Sequence, residues 1–356
     1  MAYGRAVLLT CRMLNRTLLL RQHLLTRTAM DPLAMAQHLL GLQAQDSLPP
    51  YLSLAARLDT FDPAALSAAL EGRTAVRVLL MRGTIHLVTP DDAHGLRGFV
   101  QPFLDKVSRS NALSRPAHVV DADAFQDAVL DLLAGGPVPV TVLGETLAAR
   151  FPEAPAAALA NRARETLPLV QVPPRGLWRQ SGGVVYEHLS SWVGPGTPYD
   201  GSGVARRYLA AYGPALPADL TTWSGVTGAR ALLERVGHDL ERHTDEDGKV
   251  LYDLAGLPLA TGEEDAPVRL LGKYDNVWLS HAARDRVTPD PSKRRRWMGV
   301  NGGVGSTVFV DGELEGLWWV TDNGRVDVDL FRALTRAERS DLEGEVGRVE
   351  TLLARP

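Results

Sequence analysis

Cysteine and lysine are scarce in this chain of 356 residues. Cys11 is the single cysteine, and only four of the 38 basic residues are lysines. One cysteine excludes a disulfide framework and a cysteine-based zinc site, and it indicates a reducing compartment. No apolar run approaches the roughly 20 residues of a membrane span, and arginines interrupt the leucines of residues 1–21. We therefore expect a cytoplasmic protein.

Familiar enzyme signatures are also missing. The sequence has no Walker loop and no HExxH, GxSxG or CxxC pattern, so neither a cofactor nor a metal ion is predicted. The glycine-rich run at residues 302–305 does not lead from a strand into a helix, which favours a flexible loop over a phosphate cradle. His86 lies in an apolar run and is predicted to be a core or edge histidine.

One unit of three helices and a hairpin recurs along the chain. Hydrophobic periodicity and turn residues define it most clearly in the middle of the sequence. In residues 120–195 the predicted helices are 125–133, 141–150 and 156–166, and the strands are 169–172 and 184–188. In residues 196–262 the helices are 204–212, 217–223 and 227–236, and the strands are 240–243 and 250–254. This order is typical of a winged helix.

The two ends of the chain complete the predicted architecture. Residues 1–119 add helices to the same unit, with helices at 14–25, 32–42, 63–70 and 91–112 and strands at 76–81 and 84–88. Residues 263–356 are rich in short strands, predicted at 268–271, 277–279, 306–310, 317–320 and 326–330, before a helix at 336–353. We therefore predict an α+β fold of three tandem winged-helix units followed by a small C-terminal β-barrel.

Basic residues concentrate in the last predicted domain. The net charge of −4 argues against a protein that coats nucleic acid over its whole surface, but it allows a local basic patch. The guanidinium group of arginine can donate two hydrogen bonds to phosphate oxygens, so the cluster is predicted to bind nucleic acid. The alternative interpretation is a charged surface that contacts only solvent. The predicted nucleic-acid-binding residues are His281, Arg284, Arg286, Lys293, Arg294, Arg295, Arg296 and Trp297.

Two carboxamides one residue apart, Gln43 and Gln45, are the main catalytic candidates. A carboxamide donates and accepts hydrogen bonds without ionising, which suits the positioning of a water molecule. Side chains at i and i+2 of a helix diverge by about 200°, so we predict that the helix ends here, at a stop made by Pro49 and Pro50. Asp46 is a further candidate for orienting an amide or the water. The alternative is that its side chain stabilises a turn.

A series of short motifs runs in order along nearly the whole chain. They are Leu42-Gln43-Ala44-Gln45, Arg82-Gly83-Thr84-Ile85-His86-Leu87-Val88, Arg206-Arg207-Tyr208-Leu209, Tyr212-Gly213-Pro214, residues 219–225, Tyr274-Asp275-Asn276, Ser280-His281, Arg284-Asp285-Arg286 and Val310-Asp311-Gly312. Together they resemble the AlkZ-type winged-helix DNA glycosylases. The resemblance implies a concave surface for double-stranded DNA and hydrolysis of the N-glycosidic bond of N7-alkylated purines, including bulky adducts and interstrand crosslinks.

The resemblance also implies a catalytic Gln-x-Gln or Gln-x-Asp pair, and the chain has the first form at Gln43 and Gln45. The branch of the family with the Gln-x-Gln form is associated with self-resistance to DNA-alkylating antibiotics. None of the four lysines belongs to this segment, so we expect a monofunctional enzyme. We also expect it to act as a monomer on lesions that stay in the duplex, with residues 289–305 probing a groove. The alternatives are a winged-helix transcription regulator and a non-catalytic protein that sequesters a lesion or drug.

Overall fold

The computed structural model of the chain describes residues 8–298 and 305–356. It is a mixed α+β structure, as predicted. Within these residues the strands form sheets of three, four and six strands. No helix in the described part is both long enough and apolar enough to cross a membrane. The predicted glycine-rich loop at 302–305 lies outside the described residues except for Gly305.

The N-terminal part contains more elements than the predicted unit. They are β1 (Leu8–Leu9), α1 (Cys11–Arg21), α2 (Pro32–His38), β2 (Leu42–Gln43), α3 (Pro49–Arg57), α4 (Pro63–Glu71), β3 (Val76–Leu79), β4 (Ile85–Val88) and α5 (Pro90–Ser110). Thr10 and Asp31 accept hydrogen bonds from the first backbone N–H groups of α1 and α2, which fixes where these helices begin.

The predicted helix stop at Pro49 and Pro50 is wrong. Helix α2 ends earlier, at His38, because Leu40 (φ 50°) and Gly41 (φ 100°) turn the backbone into the strand β2. A side chain at position 41 would also lie 2.6 Å from Val88 Cγ1, so glycine is required there. The two prolines begin α3 instead, since the first turn of a helix does not use its N–H groups.

The two middle units follow the predicted order of three helices and a hairpin. The first comprises α6 (Ala122–Leu133), β5 (Val138–Pro139), α7 (Val140–Arg150), α8 (Ala156–Thr166), β6 (Leu169–Gln171), β7 (Val185–His188) and α9 (Leu189–Val193). The second comprises α10 (Gly201–Tyr212), α11 (Pro217–Ser224), α12 (Ala229–Glu234), β8 (Leu240–Asp245) and β9 (Val250–Leu254). Three short 3-10 helices lie at Met81–Gly83, Arg115–Val119 and Gly237–Asp239.

Hairpins that we predicted as separate wings share a sheet. The order β2-β4-β3-β6-β7-β5 joins the first two hairpins through antiparallel pairing of β3 with β6, in which Arg77 lies opposite Gln171. The third hairpin instead pairs in parallel with β1 through β8. Helices α6 to α8 keep a separate hydrophobic core, so a cleft remains where they meet the shared sheet.

The C-terminal part forms an open sheet and not the predicted barrel. Its elements are β10 (Arg269–Leu271), α13 (Asn276–Leu279), α14 (Pro291–Trp297), β11 (Ser306–Val310), β12 (Glu313–Val320), β13 (Val326–Leu330) and α15 (Arg336–Leu353). The four strands pair in the order β10-β11-β12-β13, too few to close a barrel. At the β13 edge, Val326 N donates to Glu350 of α15 (3.0 Å).

One of the strands predicted for the barrel is a helix. Residues 277–279 belong to α13, because the Asp275 side chain accepts a hydrogen bond from Val277 N (3.0 Å) and caps a helical turn. Asp290 likewise caps α14 through Ser292 N (2.8 Å), in a region that we predicted as a loop.

Candidate active site and nucleic-acid interface

The glutamine segment, residues 43–45, lies at the edge of the six-stranded sheet. Gln43 belongs to β2 and stands opposite His86 of β4, and Ala44 N donates to Ile85 O (2.7 Å). The pair is therefore not at a helix end, which corrects our expectation. Gln43 lies in the strand and Gln45 in the bend that follows it, and their side chains are held by Arg82 and by the backbone of Ile85.

Arg82 fixes the Gln43 carboxamide. Its Nη2 donates to Gln43 Oε1 (2.8 Å), and its Nη1 donates to the backbone oxygen of Trp223. Arg82 has a left-handed backbone (φ 57°) in the turn between β3 and β4, which directs its side chain back toward β2. Burial lowers the pKa of Arg82 to about 10, so the guanidinium remains charged at neutral pH. Gln43 itself is 7% exposed.

Gln45 is exposed, unlike Gln43. Its Oε1 accepts a hydrogen bond from Ile85 N (3.3 Å). Arg82 and the Ile85 amide can only donate, so each carboxamide must turn its oxygen toward them. In the part of the chain that the structure describes, neither Nε2 donates to a protein acceptor. Both amide nitrogens are therefore free to donate to a water molecule or a substrate oxygen, and each held oxygen keeps a second lone pair that can accept a hydrogen bond from an attacking water.

Two further buried side chains shape this edge of the sheet. Arg77 Nη2 donates to Ala44 O (2.7 Å), and burial, with Arg175 nearby, lowers the pKa of Arg77 to about 10. His86 Nδ1 donates to Thr84 O (3.0 Å), and burial together with Arg82 lowers the pKa of His86 to about 3. The histidine is therefore neutral, and its predicted place in the core is confirmed.

Asp46 lies next to the glutamine segment on the surface. Its Oδ2 is 3.9 Å from Lys273 Nζ, and both side chains are about half exposed. Our argument that no lysine lies near the site is therefore wrong, because the fold brings Lys273 within reach although it is distant in sequence. Lys273 is ion-paired and half exposed, unlike the desolvated lysines that form Schiff bases.

A cleft of about 440 Å³ opens beside Gln45. The sheet forms its floor, and the start of α7 and one face of α8 form its wall. The lining residues are Gln45, Ile85, Val140, Thr141, Gly144, Glu145, Ala156, Ala157, Ala160, Asn161, Arg164, Gln171, Arg175, Val184 and Tyr186. Only Gln45 among them was a predicted site residue, because Ile85 was seen only as part of a motif and the others come from the second helical unit and carry no motif.

Some of the predicted DNA-binding residues lie inside the protein. Trp297 is 5% exposed and stacks on Trp278 at 3.9 Å between ring centroids, and His281 is 3% exposed. Burial, with Arg286 and Arg284, holds the pKa of His281 well below its ordinary range. Arg284 and Arg286 are half-buried. Direct phosphate contacts by His281 and Trp297 do not fit this burial.

The remaining predicted residues, 293–296, belong to α14 and lie at the surface. Lys293 Nζ lies 2.6 Å from Glu315, and Arg294 is 3.9 Å from Asp285. Arg296 pairs with Asp329 (2.9 Å) and lies over the Phe331 ring. Arg295 is exposed and has no carboxylate within 4.0 Å among residues 8–298 and 305–356. Arg295 is therefore the cation of this helix that is both exposed and free of a carboxylate in the described part of the chain.

Comparison with known proteins decides the family. A family model described as "DNA glycosylase AlkZ-like" matches residues 36–352, which include the glutamine segment and the cleft. The chain belongs to the AlkZ-like DNA glycosylase family. The resemblance seen in the short motifs is thereby confirmed.

One relative and one solved structure are similar to this chain over nearly its whole length. It is 23% identical to an "Interstrand DNA cross-link repair glycosylase" of Streptomyces sahachiroi, over 92% of each protein. The structure of Streptomyces sahachiroi DNA glycosylase AlkZ superposes with a TM-score of 0.82 at 22% identity, covering 98% of this chain and 99% of that one. At this identity the superposition shows a shared fold.

Proposed function

We propose that this AlkZ-like protein is a monofunctional DNA glycosylase that hydrolyses the N-glycosidic bond of bulky N7-alkylguanine in double-stranded DNA. The observation that carries the proposal is the pair of oriented carboxamides, Gln43 and Gln45, each with its oxygen held and its nitrogen free. They form the Gln-x-Gln motif that supports the assignment, and a cleft large enough for a ligand opens beside Gln45.

The chemistry requires little acid catalysis. Alkylation at N7 gives the guanine a positive charge, so the base leaves without being protonated, and the enzyme must position water at C1′. During departure the positive charge passes from the base to the sugar, and once water has added to C1′ the charge is released to solvent as a proton. Neither glutamine can act as a strong base, which makes the cationic substrate essential to the reaction.

DNA contacts then come from the exposed basic residues. Arg295 of α14 is the predicted phosphate ligand that remains fully accessible, Arg294 lies near Asp285, and Lys293 and Arg296 are held by carboxylates of β12 and β13. In this proposal the three units of helices and hairpins act as winged helices and the protein is a cytoplasmic monomer. The duplex keeps the lesion stacked and is approached through the predicted segment 289–305, of which residues 299–304 lie outside the described part of the chain.

The biological role follows from the family and its relative. The Streptomyces sahachiroi relative is named for interstrand cross-link repair, and we propose that this chain repairs related lesions, with unhooking of crosslinks as a second activity. The Gln-x-Gln form supports self-resistance to a DNA-alkylating natural product. The abasic product would be left to other enzymes.

The test uses a duplex with a single bulky N7-alkylguanine. After incubation and alkali treatment, wild type is expected to give strand cleavage at the lesion, and Gln43→Ala or Gln45→Ala to slow it by about 100-fold, the usual cost of misplacing a reactant. Absence of cleavage by wild type on several adducts would sink the glycosylase proposal and leave sequestration. Unchanged rates in both variants would sink the site, and tight binding to one undamaged sequence would favour a regulator.

A further inference from the structure

We propose that the cleft beside Gln45 binds the substituent that the lesion carries on N7, and that it selects a bulky, uncharged, hydroxyl-bearing group. This inference rests on the proposed function. It assigns a role to Gln171, Ala157 and two arginines of the second helical unit, none of which carries a recognisable motif. Three properties of the cleft support it: its walls, its hydrogen-bonding groups and its charge.

The walls of the cleft are small and aliphatic. Val140, Ala157 and Ala160 line it on the helical side, and Ile85 lines it beside Gln45. Helices α7 and α8 pack closely, since a Cβ at Gly144 would lie 2.7 Å from Ala156 O. These small side chains leave the 440 Å³ open, a volume in the range of pockets that enclose a drug-sized ligand. A methyl group on N7 would leave most of it empty.

The floor of the cleft contains an unsatisfied carboxamide. Gln171 is 7% exposed, and its Oε1 accepts no hydrogen bond in the described part of the chain. A buried acceptor without a donor is costly, and such groups recur where a ligand supplies the missing partner. Arg164 and Arg175, which also line the cleft, each have a buried Nε without an acceptor. A hydroxyl group both donates and accepts, so it can satisfy either kind of partner.

The charge of the cleft excludes a cationic substituent. Arg164 and Arg175 have no carboxylate within 4.0 Å among residues 8–298 and 305–356, and Glu145, which is exposed, is the one carboxylate among the lining residues. Two guanidinium groups against one carboxylate repel an ammonium group on the ligand. A neutral ring system with a hydroxyl group fits the walls, the floor and the charge together.

The experiment measures single-turnover excision from duplexes with three lesions: N7-methylguanine, guanine with an N7-naphthylethyl group, and guanine with the same group carrying one hydroxyl. Ala157→Phe fills the cleft from an exposed helical position, and Ala149→Phe places the same ring on an exposed position of α7 outside the cleft. Gln171→Leu removes the carboxamide at nearly constant volume.

We expect Ala157→Phe to slow excision of both naphthylethyl lesions about tenfold or more, because the ring takes the space of the substituent, and to slow excision of N7-methylguanine much less. Ala149→Phe should behave as wild type. Gln171→Leu should slow the hydroxyl-bearing lesion about fivefold to tenfold relative to its deoxy analogue, the value of one hydrogen bond.

Two results would overturn the inference while leaving the proposed function intact. One is an Ala157→Phe variant that excises the large lesions at the wild-type rate or loses all three lesions equally. The other is a Gln171→Leu variant that does not distinguish the hydroxyl-bearing lesion from its analogue. Wild type that excises none of the three lesions would instead refute the proposed function itself.

Discussion

Arg82 is predicted to act through Gln43. Its Nη2 is the donor that holds Gln43 Oε1 at 2.8 Å, and this contact joins residues 39 positions apart. Replacing Arg82 with alanine removes that donor and frees the carboxamide to rotate. The Gln43 side chain is then no longer held in one orientation. We therefore expect Arg82→Ala to slow excision without contacting the lesion.

The magnitude follows from the type of contact. A hydrogen bond to a charged group contributes about 1.5–3 kcal/mol, and each 1.4 kcal/mol is a factor of ten in rate, so the expected loss is about 10-fold to 150-fold. Arg82→Lys keeps one donor and the charge but not the fork that also reaches Trp223 O, so its loss should be smaller.

A double-mutant cycle separates positioning from general damage to the fold. Single-turnover excision is measured for Arg82→Ala, Gln43→Ala and the double variant, with thermal unfolding as a control. If Arg82 works through Gln43, the double variant is no slower than Gln43→Ala alone. Rate losses that add, or wild-type excision by Arg82→Ala, would refute the reasoning.

Three further predictions concern pH, DNA affinity and stability. The pKa of His86 is about 3 in the folded state, so this residue destabilises the fold as the pH falls below the unfolded value of about 6.5. Excision is therefore measured from about pH 6.5 to 8, where His86 stays neutral and Arg82, whose pKa is about 10, stays charged, and the rate should stay flat; a bell-shaped profile would contradict this. Arg295→Ala should lower affinity for all duplexes and reduce the salt dependence of binding by about one charge, whereas Arg296→Ala should do less because Asp329 holds it; equal effects would contradict it. Arg57→Met should lower the free energy of unfolding in urea by about 3–5 kcal/mol, because it strands the buried carboxylate of Asp275; a change below about 1 kcal/mol would contradict it.

The sequence predicted those elements whose ends are set by local chemistry. Helix α15 spans the predicted residues 336–353 because Thr335 and Glu338 form a reciprocal capping box at its start. The hairpin of β8 and β9 was predicted because Asp245 and Gly248 mark its turn. Where a capping or turn residue sets the end of a helix or strand, the neighbouring residues in the sequence are largely sufficient to predict that element.

Other elements depend on contacts that are distant in sequence. Gln43 lies in a strand because β4 pairs with it, and only glycine fits the turn before it because a side chain at position 41 would meet Val88. The apolar residues 277–279 suit a strand as well as a helix, and the fold decides through Asp275, whose carboxylate pairs with Arg57, 218 positions away. Burial alone would raise the pKa of Asp275, but Arg57 lowers it below its ordinary value.

The candidate site shows the same division. Gln43 and Gln45 were found through a motif, whereas Arg82 appeared in another motif without a role and Gln171 was not singled out. Basic residues were chosen by composition, which cannot show that Trp297 packs on Trp278 or that Glu315 holds Lys293. The domain boundaries at 119/120, 195/196 and 262/263 remain predictions, and the sheet shared by the first two hairpins crosses the first of them.

Direct detection of the products in ¹⁸O-labelled water tests the central claim most sharply. Wild-type protein is incubated with the N7-alkylguanine duplex, and the released base and the abasic strand are analysed by mass spectrometry, with borohydride added in a parallel sample. We predict intact alkylated guanine, one ¹⁸O atom in the abasic sugar, loss of both products in the Gln43→Ala, Gln45→Ala double variant, and no covalent adduct at Lys273. Absence of released base, or a borohydride-trapped adduct, would contradict hydrolysis by a water molecule held at the glutamine pair.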